Sequence, residues 1–106
     1  MKEFSVLELK QMMDAGEAIQ LIDVRELWEL EVCVINGSHH IPMGEILTRT
    51  GELNEAGKVV IQCRSGGRSS NVVNALEMHT NKQNLYNLKG GILAWAEEVD
   101  TSLEKY

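Results

Sequence analysis

The chain is short of several things, and each shortage excludes something. It has only two cysteines, Cys33 and Cys63, in 106 residues. They lie in different contexts and not in a C-x-x-C pair, so a disulfide scaffold is excluded and a structural zinc site lacks its ligands. A single proline beside 43% hydrophobic residues excludes a disordered chain. No apolar run approaches the ~20 residues a membrane span needs. The opening MKEFSVLELKQMMD carries charge where a secretory signal needs an unbroken apolar stretch. Basic residues are few, 10 against 16 acidic, for a net charge of −6. That argues against nucleic acid and anionic membrane as partners, since both reward a basic face. The expectation is a cytoplasmic chain forming one domain over residues 1–106.

What is present alternates between apolar segments and punctuation. Ser5 and Glu8 have the spacing of a capping box. Leu9, Met12 and Met13 follow on one helical face, and Gly16 closes the helix. Residues 18–24 read as a strand whose end is marked by Asp23 and Arg25. Residues 26–32 suit a short helix, 38–42 a brief extended piece and 45–49 a weak helix. Residues 51–57 look like a surface connection. Residues 58–62 are the clearest strand, with three β-branched residues in a row, as in buried parallel strands. After Cys63 comes a glycine-rich turn, then a helix that Ser69 or Ser70 can cap, with Val72, Val73 and Leu76 on one side. Residues 84–88 form another strand, and Gly90-Gly91 lead into a helix carrying Leu93, Trp95 and Val99. Strands separated by helices imply an α/β fold, with a mainly parallel sheet covered on both faces.

In such sheets reactive groups gather at the carboxyl ends of strands. Cys63 stands there, directly after the strongest strand. Gly66 and Gly67 permit backbone angles closed to other residues. Successive N–H groups can then point inward as a nest, and the next helix adds its positive end. A free thiol with a pKa near 8.5 is only about 3% thiolate at pH 7. Lowering it to ~6.5 makes roughly three quarters thiolate, for ~2.7 kcal/mol of differential stabilisation. Arg64 and Arg68 add positive charge in an otherwise acidic chain and suit attraction of a small anion. A lone cysteine is more often a packed core residue. The glycines, the arginines and the helix start reverse those odds.

The run Cys63-Arg64-Ser65-Gly66-Gly67-Arg68-Ser69 resembles the active-site loop of single-domain rhodanese-like sulfurtransferases. Three more segments resemble that family in the same order: Leu21 to Glu26, Gly37 to Pro42, and Tyr86 to Trp95. The resemblance implies a rhodanese-type fold, with a mostly parallel five-stranded sheet and helices on both faces. It implies Cys63 as nucleophile, with Arg64, Ser65, Gly66, Gly67, Arg68 and Ser69 as the substrate and anion cradle. The implied reaction takes sulfane sulfur from thiosulfate or a similar small anion onto Cys63 as a persulfide. A thiol, which can belong to a partner protein, or cyanide then accepts it. No cofactor and no metal are implied.

Two other classes compete. One is a cysteine phosphatase or arsenate reductase. The related phosphatases space Cys and Arg as C-x5-R, whereas Cys63 and Arg68 are spaced C-x4-R, a smaller cradle that suits a sulfur atom better than a phosphoryl group. The other is a noncatalytic interaction module, against which Cys63 itself argues. Around the loop, Asp23 and Arg25 read first as a structural ion pair, and otherwise as supports of the cradle. Trp28 and Trp95 read as core packing. Cys33 reads as a packed cysteine rather than a resolving thiol. His39 and His40 face opposite ways in an extended segment and lack a third metal ligand.

Overall fold

Parallel strands need crossovers, and the alternating pattern supplies one after nearly every strand. In the computed structural model, which describes residues 1–106, the elements run β1 (Glu3–Phe4), α1 (Val6–Asp14), β2 (Ile19–Asp23), α2 (Leu27–Leu30) and β3 (His39–His40). Two 3-10 turns, Met43–Thr48 and Thr50–Glu52, follow. Then come β4 (Lys58–Gln62), α3 (Gly67–His79), β5 (Leu85–Leu88) and α4 (Gly91–Glu98). The five strands form one all-parallel sheet in the order β1-β5-β4-β2-β3.

Period-two alternation divides the core between the two faces of the sheet. Ile22, Val59, Ile61 and Leu85 pack with Val72, Val73 and Leu76 of α3 and with Ile46. Leu21, Val60 and Leu88 face the other way, toward Val6 and Leu9 of α1 and Ile92 and Trp95 of α4. Val59, Val60 and Ile61 are all fully buried. This is why β4 reads as a continuous apolar run and not as an alternating one. The Ser5–Glu8 capping box forms in both directions.

Four features depart from the sequence reading. β1 is a two-residue edge strand, too short to leave a periodic signal. The connection 51–57 starts within a 3-10 turn and buries Leu53. Neither Ser69 nor Ser70 caps α3. Gly66 does, in the left-handed region at φ +106°, which leaves Ser69 free for other work. Trp28 is 60% exposed, not core, and meets the Tyr106 ring edge-on at 5.8 Å.

In this strand order the chain leaves the centre in opposite directions. From β2 it steps out to β3, and from β4 it steps out to β5. In open α/β sheets functional groups gather at such a switch point, beyond the carboxyl ends of the two central strands. Arg25 follows β2 there and Cys63 follows β4.

Candidate active site

Leaving β4, the chain must turn at once into α3, and Gly66 permits that turn. The turn folds backbone donors onto one sulfur. The Cys63 Sγ accepts from the Gly66 amide at 3.1 Å and the Ser69 amide at 3.4 Å. The Ser69 Oγ lies 3.4 Å away. Cys63 itself is 1% exposed. Burial alone pushes its thiol up, but the Ser69 hydroxyl and the amides of Ser69, Gly66 and Ser65 more than offset this. The net direction is below an ordinary thiol, which raises the thiolate fraction.

The outer side of the loop is held by α4. The Ile92 amide donates to the Cys63 carbonyl at 2.9 Å and the Leu93 amide to that of Arg64 at 3.0 Å. Two otherwise unpaired donors of a helix start are thereby satisfied. The same bonds anchor the first two peptides of the loop, just before the Gly66 and Ser69 amides that face the sulfur.

Both arginines of the loop have partners. Arg68 makes a bidentate pair with Glu29, 2.7 Å at each nitrogen. That pair is the first reason the Glu29 carboxyl is lowered to about 2, with burial opposing and the Glu26 amide and Tyr106 hydroxyl assisting. Arg64 donates to the Tyr106 main-chain oxygen from Nε at 2.6 Å and also from Nη2. Its guanidinium stands 5.1 Å from the Tyr106 ring centre. Ser65 and Gly67 form the exposed rim of the loop.

Asp23 and Arg25 do not touch the sulfur. They form a buried ion pair, with Arg25 fully buried and Asp23 1% exposed. The rest of the guanidinium is used by the carbonyls of Cys33 (2.8 Å) and Glu29 (3.3 Å) and by the Tyr106 hydroxyl (3.0 Å). That hydroxyl donates in turn to Glu29 at 2.8 Å. The ion pair therefore reaches the loop only indirectly, through Tyr106, Glu29 and Arg68.

The remaining candidates are placed elsewhere. Cys33 lies in the α1–α4 core layer and Cys63 in the α3 layer, on opposite faces of the sheet. His39 pairs with Glu52 at 2.9 Å, and His40 lies 2.6 Å from the Arg25 carbonyl oxygen. Sequence reasoning missed Glu29, Asn87, Gly91 and Tyr106. Asn87 receives the Ser69 hydroxyl at 2.5 Å. Only Gly91 carried a signal, as half of a glycine pair before a helix.

The comparisons with known proteins bear on the family and the fold. The rhodanese-like domain family matches residues 5–98. "Putative sulfurtransferase YtwF" of Bacillus subtilis is 39% identical over 92% of this chain and 93% of its own length. "Putative sulfur carrier protein YrkF" of the same organism is 35% identical over 92% of this chain, which spans about half (52%) of that longer protein. The crystal structure of a rhodanese-like domain protein from Staphylococcus aureus superposes with a TM-score of 0.83, at 32% identity, covering 100% of this chain and 99% of the other. With its parallel sheet, its glycine-turned loop and these relatives, the chain belongs to the rhodanese-like domain family.

Proposed function

We propose that this protein is a sulfurtransferase that carries sulfane sulfur on Cys63. The observation that carries the reading is the convergence of backbone donors on one sulfur, from the Gly66 and Ser69 amides, with the Ser69 hydroxyl beside them at 3.4 Å. Donors fixed in advance stabilise an anion without reorganising when the charge arrives. They serve the resting thiolate and a persulfide anion alike. The names of the two Bacillus relatives, one a sulfurtransferase and one a sulfur carrier, support the same reading.

The reaction is two nucleophilic displacements. The Cys63 thiolate attacks the outer sulfur of thiosulfate. A Cys–S bond to that sulfur forms, the S–S bond of thiosulfate breaks, and sulfite leaves with the electron pair. Cys63 then bears a persulfide anion. An acceptor thiolate, or cyanide, attacks the terminal sulfur, takes it, and returns Cys63 as thiolate. The burial of Cys63 favours a terminal sulfur atom over a bulky substituent. Arg64 provides positive potential near the sulfur that draws in the anionic donor, whereas the charge of Arg68, expected from the sequence to share that role, is already matched by Glu29. A cytoplasmic setting, where thiol acceptors stay reduced, suits the second step.

Thiosulfate treatment followed by intact-mass spectrometry tests the reading. A gain of one sulfur, about 32 Da, is expected on the wild type and not on Cys63→Ala. An unmodified wild type would favour a noncatalytic module. Release of phosphate from a generic ester without any sulfur adduct would favour the phosphatase class. The C-x4-R spacing of Cys63 and Arg68, one residue tighter than the phosphatase spacing, speaks against that class.

A further inference from the structure

A serine hydroxyl has one proton to donate. Around the Ser69 Oγ stand three acceptors: the Asn87 Oδ1 at 2.5 Å, the Gly66 carbonyl oxygen at 3.2 Å and the Cys63 Sγ at 3.4 Å. The nearest is Asn87, which is 4% exposed, on β5. Its amide is oriented from the other side. Glu3 and Asn87 are paired residues on adjacent strands, and the Asn87 Nδ2 donates to the Glu3 carboxylate at 3.3 Å. A carboxylate accepts only, so Nδ2 faces Glu3 and Oδ1 is left toward Ser69. From this geometry we propose that Asn87, oriented by Glu3, is a positioning residue that competes with the Cys63 sulfur for the Ser69 hydroxyl proton.

The two protonation states of Cys63 differ in how they fit this row. With a thiol, the S–H donates to Ser69, the Ser69 O–H donates to Asn87, and every group is satisfied. With a thiolate, the hydroxyl faces a conflict. Turning it to the sulfur leaves the Asn87 oxygen buried without a donor, which is costly. Leaving it on Asn87 points the oxygen lone pairs at an anion. Either way Asn87 resists ionisation, while the amides of Gly66 and Ser69, which have no competing acceptor in the loop, favour it. The other charges around the loop are Arg68 on α3, held by Glu29 of α2, Arg64 in the loop, and the Asp23–Arg25 pair at the end of β2. None of them lies in the Ser69–Asn87 row. The effect of this competition is to keep the nucleophile's basicity, and with it its sulfur affinity, above what the donor ring alone would set.

The inference rests on Cys63 being the nucleophile, but its readout is ionisation and not sulfur transfer. The pH dependence of Cys63 alkylation by iodoacetamide, with the thiolate absorbance in parallel, measures the midpoint directly. Ser69→Ala should raise the midpoint by about one pH unit, and Asn87→Leu should lower it by a similar amount. Ser69→Ala/Asn87→Leu should behave as Ser69→Ala alone. Glu3 is exposed, so Glu3→Ala tests the same row with little risk to folding. It frees the Asn87 amide to turn its donor to Ser69 and should lower the midpoint. In a Ser69→Ala background Glu3→Ala should then have no effect, which separates the row from simple removal of a negative charge. An unchanged or raised midpoint in Asn87→Leu or Glu3→Ala, or an effect of Glu3→Ala that survives loss of Ser69, would overturn the proposal. A sulfur adduct missing from a wild type whose midpoint shifts still follow this pattern would remove the sulfur-transfer reading alone.

Discussion

A Cβ on Gly91 would lie 2.4 Å from the carbonyl oxygen of Cys63 and 2.6 Å from that of Arg64. Gly91 also has a φ of +58°, in the left-handed region. The start of α4 therefore presses backbone to backbone against the cradle, and only glycine lets the Ile92 and Leu93 amides reach their carbonyls. Gly91→Ala should cost about 2–3 kcal/mol in urea unfolding, from strain and displaced hydrogen bonds. The variant fraction that folds should form little persulfide. A variant with wild-type stability and a normal adduct would mean that the loop does not depend on α4.

The Asp23–Arg25 pair is fully desolvated, so removing one partner is worse than removing both. Asp23→Ala should lose about 3–5 kcal/mol, much of the stability a domain of this size has. Asp23→Leu/Arg25→Met should recover part of that. Chemical denaturation of the two variants side by side decides it, and a milder loss in the single variant would show the pair to be solvated.

Glu29 links α2 to Arg68 and makes a pH-dependent contribution. Its carboxyl lies at about 2 in the folded chain against an ordinary value of 4.5. A carboxyl depressed by folding contributes stability that is complete above the unfolded value and is lost as pH falls through the folded one. Glu29→Gln should therefore be about 2–3 kcal/mol less stable than wild type at pH 7. The gap should narrow steadily between pH 5 and pH 2. A gap independent of pH would assign the loss to packing.

Arg64 sits half-buried at the mouth of the loop, bonded to Tyr106. Arg64→Ala should slow persulfide formation at low thiosulfate about five- to tenfold by removing positive charge near the sulfur. Its effect on stability should stay within about 1 kcal/mol, the scale of a partly exposed cation–aromatic contact. Equal losses of melting temperature and activity would make the residue a structural tie to Tyr106.

The sulfur itself should titrate below an ordinary thiol. Iodoacetamide alkylation of Cys63 should reach half its maximal rate at a lower pH in the folded protein than in urea. The sign follows from the ring of donors, which favours the ionised form. A midpoint equal to that of the unfolded chain would mean that the inward amides do not act on it.

Local pattern determined a good deal here. The β-branched run of β4, the Ser5–Glu8 box, the glycine pair before α4 and the position of Cys63 between strand and helix are written within a few residues of each other. Each needs only nearby sterics or short-range burial to be read. Ser69 was legible as a polar residue at a helix start, yet its use was not, because the choice between capping α3 and facing a sulfur depends on what lies across from it.

That opposing surface is the part the tertiary structure alone decided. Asn87 comes from β5, Glu3 from an edge strand at the other end of the chain, and Tyr106 reaches Arg25 across 81 positions. Trp28 was misjudged for the same reason, since an apolar residue on a four-residue helix has no periodicity to say which way it faces. Partners so distant leave no periodic signal. They meet because parallel pairing and helix crossovers bring the carboxyl ends of the strands together. There, low dielectric drives buried donors and charges toward counterparts, and the fully buried Gln62 amide at the end of β4 is the exception that finds none.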